Sequence, residues 1–217
     1  MQIIKFTTWL NDTNMYLVVD AGHALLIDPS DKDRITKAVR KYNLILDYIL
    51  LTHEHYDHIR ALNELKDMYE AKVIASSECS NRIQDPRHNM SRYFNVLMEL
   101  KEGSENWRSR NYKILPYYGK PADIIFYKNK RIKWQKHEIV LTETPGHSPG
   151  SIIIEVDGEY LFSGDTVSYD YEIIVEFPGG SRDEYNRMTR PLIKNLKKSL
   201  KAFPGHGRNF EISEIEV

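Results

Sequence analysis

Two spacings of apolar residues alternate along this chain. Strand-like runs span Ile3 to Thr8, Met15 to Asp20 and Ala24 to Asp28, with a turn at Ala21-Gly22 between the last two and Pro29 ending the pairing. Ile35, Ala38, Val39 and Tyr42 then fall at i, i+3, i+4 and i+7, which predicts a helix laying one apolar stripe on a sheet. A strand over Tyr48 to Leu51, a helix from about Asp57 with Ile59, Leu62, Leu65 and Tyr69 on one face, and a strand over Lys72 to Ala75 complete a βαβ-like unit. In the second half, strands are expected at Ile132 to Trp134, Glu138 to Leu141, Ser151 to Val156 and Glu159 to Ser163, the last two joined at the hairpin signal Asp157-Gly158. Ser181 followed by Glu184 reads as a capping box opening a helix to about Leu200, kinked at Pro191. Between the halves, Met90 to Leu100 has helical character and Gly103 to Asn111 reads as polar loop. Strands in both halves with helices between them predict an α+β fold in which two sheets pack face to face and helices cover the outer faces. One domain over 1–217 is expected, with about 82–117 as a helical and loop lid within it.

Bulk composition narrows the function classes. A net charge of -1 argues against a dedicated nucleic-acid or membrane-surface protein. No apolar run approaches the roughly 18 residues needed to span a bilayer, and the first residues lack a signal-peptide core, so a cytoplasmic location is expected. The single cysteine, Cys79, excludes an internal disulfide and reads as a small, partly buried apolar residue. Charge is uneven: Asn81 to His137 holds 13 Lys/Arg against 5 Asp/Glu, a local +8, which leaves -9 for the rest. Tyr93, Trp107, Tyr112 and Trp134 are among the aromatics interleaved there. Three readings fit this island: aromatics on the core with cations facing water, a lid selecting an anionic small-molecule substrate, or, least favoured, a nucleic-acid surface.

The chemistry concentrates in Thr52-His53-Glu54-His55-Tyr56-Asp57-His58, where three imidazoles and the Asp57 carboxylate stand together directly after a strand. Packing needs no such density; borderline divalent ions, which bind neutral nitrogen and anionic oxygen, do. Further donors stand at the ends of other short apolar runs: His147 in Pro145-Gly146-His147-Ser148-Pro149-Gly150, Asp165 after Ser163-Gly164, and His206 in Pro204-Gly205-His206-Gly207. Strand exits are where a rigid scaffold can aim several side chains into one cleft. His23, His88 and His137 lie outside these motifs and read as surface or turn residues.

In order and surroundings, Asp28 after Leu25-Leu26-Ile27, the His53-x-His55-x-Asp57-His58 cluster, His147, Asp165 in Gly-Asp-Thr and His206 resemble the signature of the metallo-β-lactamase superfamily, in particular its short glyoxalase II-like hydrolases. The resemblance implies an αββα sandwich of two mixed sheets with the site at one edge. By position it implies that His53, His55 and His147 hold one metal, that Asp57, His58 and His206 hold another, and that Asp165 bridges them. Two divalent ions per chain, zinc first and iron or manganese as alternatives, are then expected. Asp28 would accept an imidazole N–H and so orient a ligand, although a carboxylate capping a strand-end turn fits the same position. The chain departs from the family pattern in three places. Ile59-Arg60 replaces the pair of glycines often found after the histidine cluster and is expected to put bulk at the metal mouth. Ile174-Val175-Glu176 precedes Phe177-Pro178-Gly179-Gly180 where a Gly-Arg segment is usual. The sequence also ends soon after His206, so the helical domain with which glyoxalase II grips glutathione is not expected.

The implied reaction is hydrolysis of an ester, thioester or lactone by a water acidified between two ions, from near pKa 16 toward about 7, with Asp57 orienting that water and passing its proton to the leaving group. Three alternatives share the donor set: a phosphodiesterase or nuclease, a mononuclear-iron dioxygenase acting on a persulfide, and a non-catalytic metal-binding interaction protein.

Overall fold

The computed structural model describes residues 1–216, which form two six-stranded mixed sheets packed face to face. In the first sheet the strand order follows the chain: β1 (Gln2–Thr7), β2 (Asn14–Asp20), β3 (His23–Ile27), β4 (Ile45–Leu50), β5 (Lys72–Ser76) and β6 (Ile124–Phe126). β1 to β3 pair antiparallel and β3 to β6 parallel. Parallel neighbours need crossovers, which α1 (Lys32–Lys41), α2 (Tyr56–Ile59), α3 (Leu62–Tyr69), α4 (Ser77–Arg82), α5 (Phe94–Glu102) and α6 (Ser104–Ser109) contribute. The second sheet holds β7 (Asn129–Trp134), β8 (His137–Glu143), β9 (Ile152–Val156), β10 (Tyr160–Gly164), β11 (Lys201–Pro204) and β12 (Phe210–Glu211), again neighbour to neighbour. Only β10 and β11 are parallel there, and the chain between them forms α7 (Arg182–Glu184), a π-helical turn (Tyr185–Thr189) and α8 (Arg190–Lys194).

Period-two alternation places the core. In β2, Met15 and Leu17 face α1 and α3, while Tyr16 and Val18 face the other sheet. Tyr16, Leu25, Ile27 and Leu50 thereby meet Ile139, Leu141, Ile154 and Phe162 in the layer between the sheets. The odd partner in β9, Ile153, points outward and joins Leu161, Ile193 and Ala202 under the C-terminal helix. Two inner faces and two outer faces, all apolar, make four layers: the αββα sandwich that the sequence predicts.

Several local expectations need correction. The stripe on α1 ends at Val39, because the helix stops at Lys41 and Tyr42 becomes its half-exposed C-cap. The helix expected from Asp57 is two helices: the Ala61 N–H leaves the helical ladder to donate to the Pro29 carbonyl, although Ile59, Leu62 and Leu65 still share one buried face. Gly103 to Asn111 is not open loop, since α6 drives Trp107 into a small cluster with Leu10, Tyr56, Phe94 and Met98. The C-terminal helix ends at Lys194 rather than near Leu200. Proline at position 191 has no N–H for the ladder, and the helix accommodates it with the π turn just upstream, where the Arg190 N–H reaches the Tyr185 carbonyl. His137 is buried: its ring bonds Asp157 at 2.6 Å and lies 3.4 Å from Asp20. No helix among the described residues is long and apolar enough to cross a membrane.

Candidate metal centre

All seven proposed donors arrive at one edge of the sandwich from the ends of different strands. His53, His55, Asp57 and His58 follow β4, His147 follows β8, Asp165 follows β10 and His206 follows β11. The loops are tied to one another rather than left free. The Asn14 N–H donates to the Gly205 carbonyl at 2.7 Å and the Tyr16 hydroxyl to the Pro204 carbonyl at 2.6 Å, so the first sheet fixes the His206 turn of the second. Glycine is required in that turn, because a Cβ on Gly205 would stand 2.7 Å from the His58 ring and strike the Asp165 carboxylate. The π turn of the C-terminal helix braces the His147 loop, with the Thr189 hydroxyl donating to the Pro145 carbonyl at 2.5 Å. Helical π turns are frequent at functional sites, and here the extra residue lies against a donor loop.

The donors sort into two groups. His53, His55 and His147 offer one ring nitrogen each within 4.8 Å of one another, and Asp57, His58 and His206 offer a carboxylate oxygen and two ring nitrogens within the same distance. Asp165 lies between them, its carboxylate 3.9 Å from His53, 3.5 Å from His147, 3.5 Å from His58 and 3.4 Å from His206. This is the grouping implied by the family resemblance. Ring nitrogens face each other closely: His147 Nε2 is 3.0 Å from His55 Nδ1, and His58 Nε2 is 3.3 Å from His206 Nε2. His53 Nε2, His55 Nε2 and Asp165 Oδ1 are buried with no hydrogen-bond partner. Buried donors and acceptors are normally satisfied. Lone pairs converging without protons to share are what a cation resolves, so this donor set fits divalent ions.

The outward nitrogens explain why the inward ones are bare. His58 Nδ1–H donates to Asp28 at 2.9 Å, and His147 Nδ1–H to the Ile174 carbonyl at 2.7 Å. Thr52 Oγ1 donates to Asp28 at 2.6 Å and can thereby accept from His53 Nδ1–H at 3.0 Å. Each bond fixes the tautomer that leaves Nε2 as a lone pair turned into the site. Asp28, in left-handed backbone geometry at φ 57°, thus steers a histidine of each group. It comes within ligand range of His53 and His58, but the Thr52 N–H, the Thr52 hydroxyl and His58 already occupy its oxygens, so it orients ligands rather than competing to be one.

Electrostatics differ between the groups. Burial, reinforced by His147, pushes His55 down to about 3, and burial with His58 nearby pushes His53 well below the usual imidazole range. Burial acts the same way on His58 and His206, but Asp165 and Asp57 outweigh it and raise both. Burial alone would raise Asp57 and Asp165; the facing imidazoles reverse that and hold both carboxylates below their ordinary range.

Three supporting residues were not among the candidates read from the sequence. Asn11 and Thr13 donate to Asp57 Oδ2 at 2.9 and 2.8 Å. Their only sequence signal is the polar Asn11-Asp12-Thr13 turn between β1 and β2. Glu54, fully buried between two donor histidines, accepts from Arg82 at 2.6 Å and from Ser148 at 2.9 Å, while Arg82 also donates to the Pro178 carbonyl at 3.1 Å. That pair links the β4 loop to the His147 loop and to the 177–180 turn; an acidic residue within the cluster was the visible signal. The bulk expected from Ile59 and Arg60 is not at the mouth. Ile59 is buried in the core under α1 and α3, and Arg60 turns outward to stack on Trp9 and pair with Asp31. Cys79 is buried, and burial raises its thiol far from reactivity.

Above the donors lies a cavity of about 480 Å³ whose walls come from α5 and the segment 171–177.

Comparison with known proteins agrees with this geometry. The sequence is similar to a probable metallo-hydrolase of Streptococcus pyogenes, 25% identical over 95% of this chain and 84% of that one. It is similar to a hydroxyacylglutathione hydrolase of Pelagibacter ubique, 27% identical over 94% of this chain and 70% of that one. In structure it resembles the BLEG-1 B3 metallo-β-lactamase, with a TM-score of 0.80 and 23% identity over 98% of this chain and 95% of that one. The family model described as the metallo-beta-lactamase superfamily matches residues 8–206, a span that takes in every donor at the site, and the chain belongs to that superfamily.

Proposed function

We propose that this chain is a metal-dependent hydrolase that holds two divalent ions and cleaves an ester, thioester or lactone bond of a small molecule. The observation that carries the reading is the pair of donor groups sharing Asp165, with three buried polar atoms that no protein group satisfies. A mononuclear reading would use one group and leave the other with its ring nitrogens still opposed. A nucleic-acid substrate would find part of the basic island already engaged, since Arg82, Arg87, Arg108 and Arg110 are paired with Glu54, Asp85, Glu99 and Glu102.

His53, His55 and His147 would hold one ion, Asp57, His58 and His206 the other, and Asp165 both. Bound there, the ions supply Lewis acidity that brings water toward a neutral pKa and polarises the scissile carbonyl. The donors leave zinc, iron and manganese open, and zinc, which favours imidazole and carboxylate at low coordination number, is the first choice. Asp57 is fixed by Asn11 and Thr13 at the cavity floor, where its carboxylate can orient the attacking water and carry the proton to the departing thiolate or alkoxide. The apolar walls lower the local dielectric, which strengthens each of these interactions.

The test is an activity panel of thioester, lactone and phosphodiester with the metal-loaded chain, repeated with Asp57→Asn. Loss of at least 100-fold in kcat with metal content retained is expected. Cleavage of the phosphodiester alone would transfer the site to the nuclease reading.

A further inference from the structure

The walls of the cavity above the donors are chemically unlike its floor. On one side stand Met90, Phe94, Leu97 and Met98, of which Phe94 and Met98 are anchored in the cluster under Trp107; on the other stand Ile174 and Phe177. At the mouth, Leu100 is 78% exposed and Ile174 48% exposed, two large apolar side chains facing water across one opening. Exposed leucine and isoleucine at the rim of a concave apolar site gain from being covered. A volume of about 480 Å³ lies within the range of small-molecule sites, which are mostly apolar with a few convergent polar groups. Here the polar groups are the metal donors themselves.

Charge points the same way. Among the described residues, Lys101 is the one Lys or Arg lining the cavity, and its ammonium is already engaged, 2.8 Å from Asn11 Oδ1 and 3.6 Å from Asp12. Glu172 also lines the wall. An anionic tail would meet no free cation on these walls and would face a carboxylate. A lid that selects an anion, one of the three readings of the basic island, would have only this engaged cation to work with.

We propose that the substrate carries an unbranched, uncharged acyl chain that fills this cavity, its scissile carbonyl at the donor floor and its tail between α5 and residues 173–177. The assignment rests on the hydrolase reading. In the reaction the oxygen of water bonds to the acyl carbon, the carbon–sulfur or carbon–oxygen bond breaks, and the leaving thiol or alcohol departs with one proton of that water. Products are a fatty acid and a free thiol or alcohol, and no redox partner is required.

Two measurements test it. The first is kcat/KM of the zinc-loaded chain on thioesters of one thiol with straight acyl groups from acetyl to decanoyl. A rise of about fourfold per methylene is expected over the first several carbons, the equivalent of about 0.8 kcal/mol each. The second is calorimetric binding of octanamide, an uncharged uncleaved mimic, to the chain with and without metal. It should bind at least 100-fold more tightly than acetamide, with a negative heat-capacity change. Leu100→Glu, at an exposed position where folding is not at risk, should cut both the octanoyl-to-acetyl ratio and octanamide affinity at least tenfold. Hydrolysis without chain-length dependence, together with no octanamide binding, overturns the acyl-chain assignment and leaves the hydrolase reading standing. Octanamide binding by a fully metal-loaded chain that cleaves no acyl group overturns the hydrolase reading, and this assignment with it.

Discussion

The two donor groups lie a few ångströms apart and are built on opposite principles. In the group of His53, His55 and His147, burial and mutual repulsion depress His53 and His55, so protons do not compete with an ion for those two rings. The set of Asp57, His58 and His206 contains a carboxylate, and Asp165 with Asp57 raises both imidazoles, so protons compete with an ion there. Desolvation keeps protons off His53 and His55, and acidic neighbours draw them to His58 and His206. The difference teaches that a shared ligand, Asp165, does not make two equivalent sites, and that the order of loading follows from local charge.

Removing the shared carboxylate has the largest expected effect. Asp165→Ala should lower affinity for both ions and reduce activity by at least a thousandfold, as elemental analysis and initial rates would register. Loss of only one ion would mean that Asp165 belongs to one group alone.

Acidity is a finer tool, because it acts on the groups differently. Binding at the Asp57 group must displace protons from His58 and His206 wherever pH is below their raised values, so affinity there falls as pH drops from 8 to 6. His53 and His55 stay unprotonated through that window, so the first group keeps its ion. Titration of metal content should show one ion released before the other, with proton release on reloading near pH 7. Stability of the metal-free protein carries the complementary sign. The pairing of His58 and His206 with the two carboxylates is stabilising below the ordinary imidazole pKa, about 6.5. It is lost as pH rises through their raised values.

Asp28→Asn is the smallest perturbation. It keeps shape but weakens acceptance from His58 and the Thr52 hydroxyl, and a 10- to 100-fold loss of metal affinity is expected from such orienting partners. Because Asp28 reaches a histidine of each group, both ions should weaken together; an effect on one alone would break the relay through Thr52 to His53.

Much of this architecture was legible in the residues, and where legibility failed the reason is physical. Short continuous apolar runs locate strands because each is buried on both faces, as Met15 to Val18 shows. Boundaries failed where tertiary hydrogen bonds override local pattern: at Ala61, drawn to Pro29, and upstream of Pro191, where the helix widens to a π turn. The donors stood out because no packing rule explains so many imidazoles at strand ends. Their supports did not. Asn11, Thr13 and Glu54 are ordinary polar residues whose roles depend on loops that meet only in three dimensions. His137 misled for the converse reason: it looked like a turn residue and is buried beside Asp157 and Asp20, at the opposite end of β8 from the His147 loop.

The account turns on the metal count. Elemental analysis of the purified chain after loading with excess zinc and desalting at pH 8 should give two ions per chain, falling to one near pH 6. A single ion at every pH, or none, would contradict it.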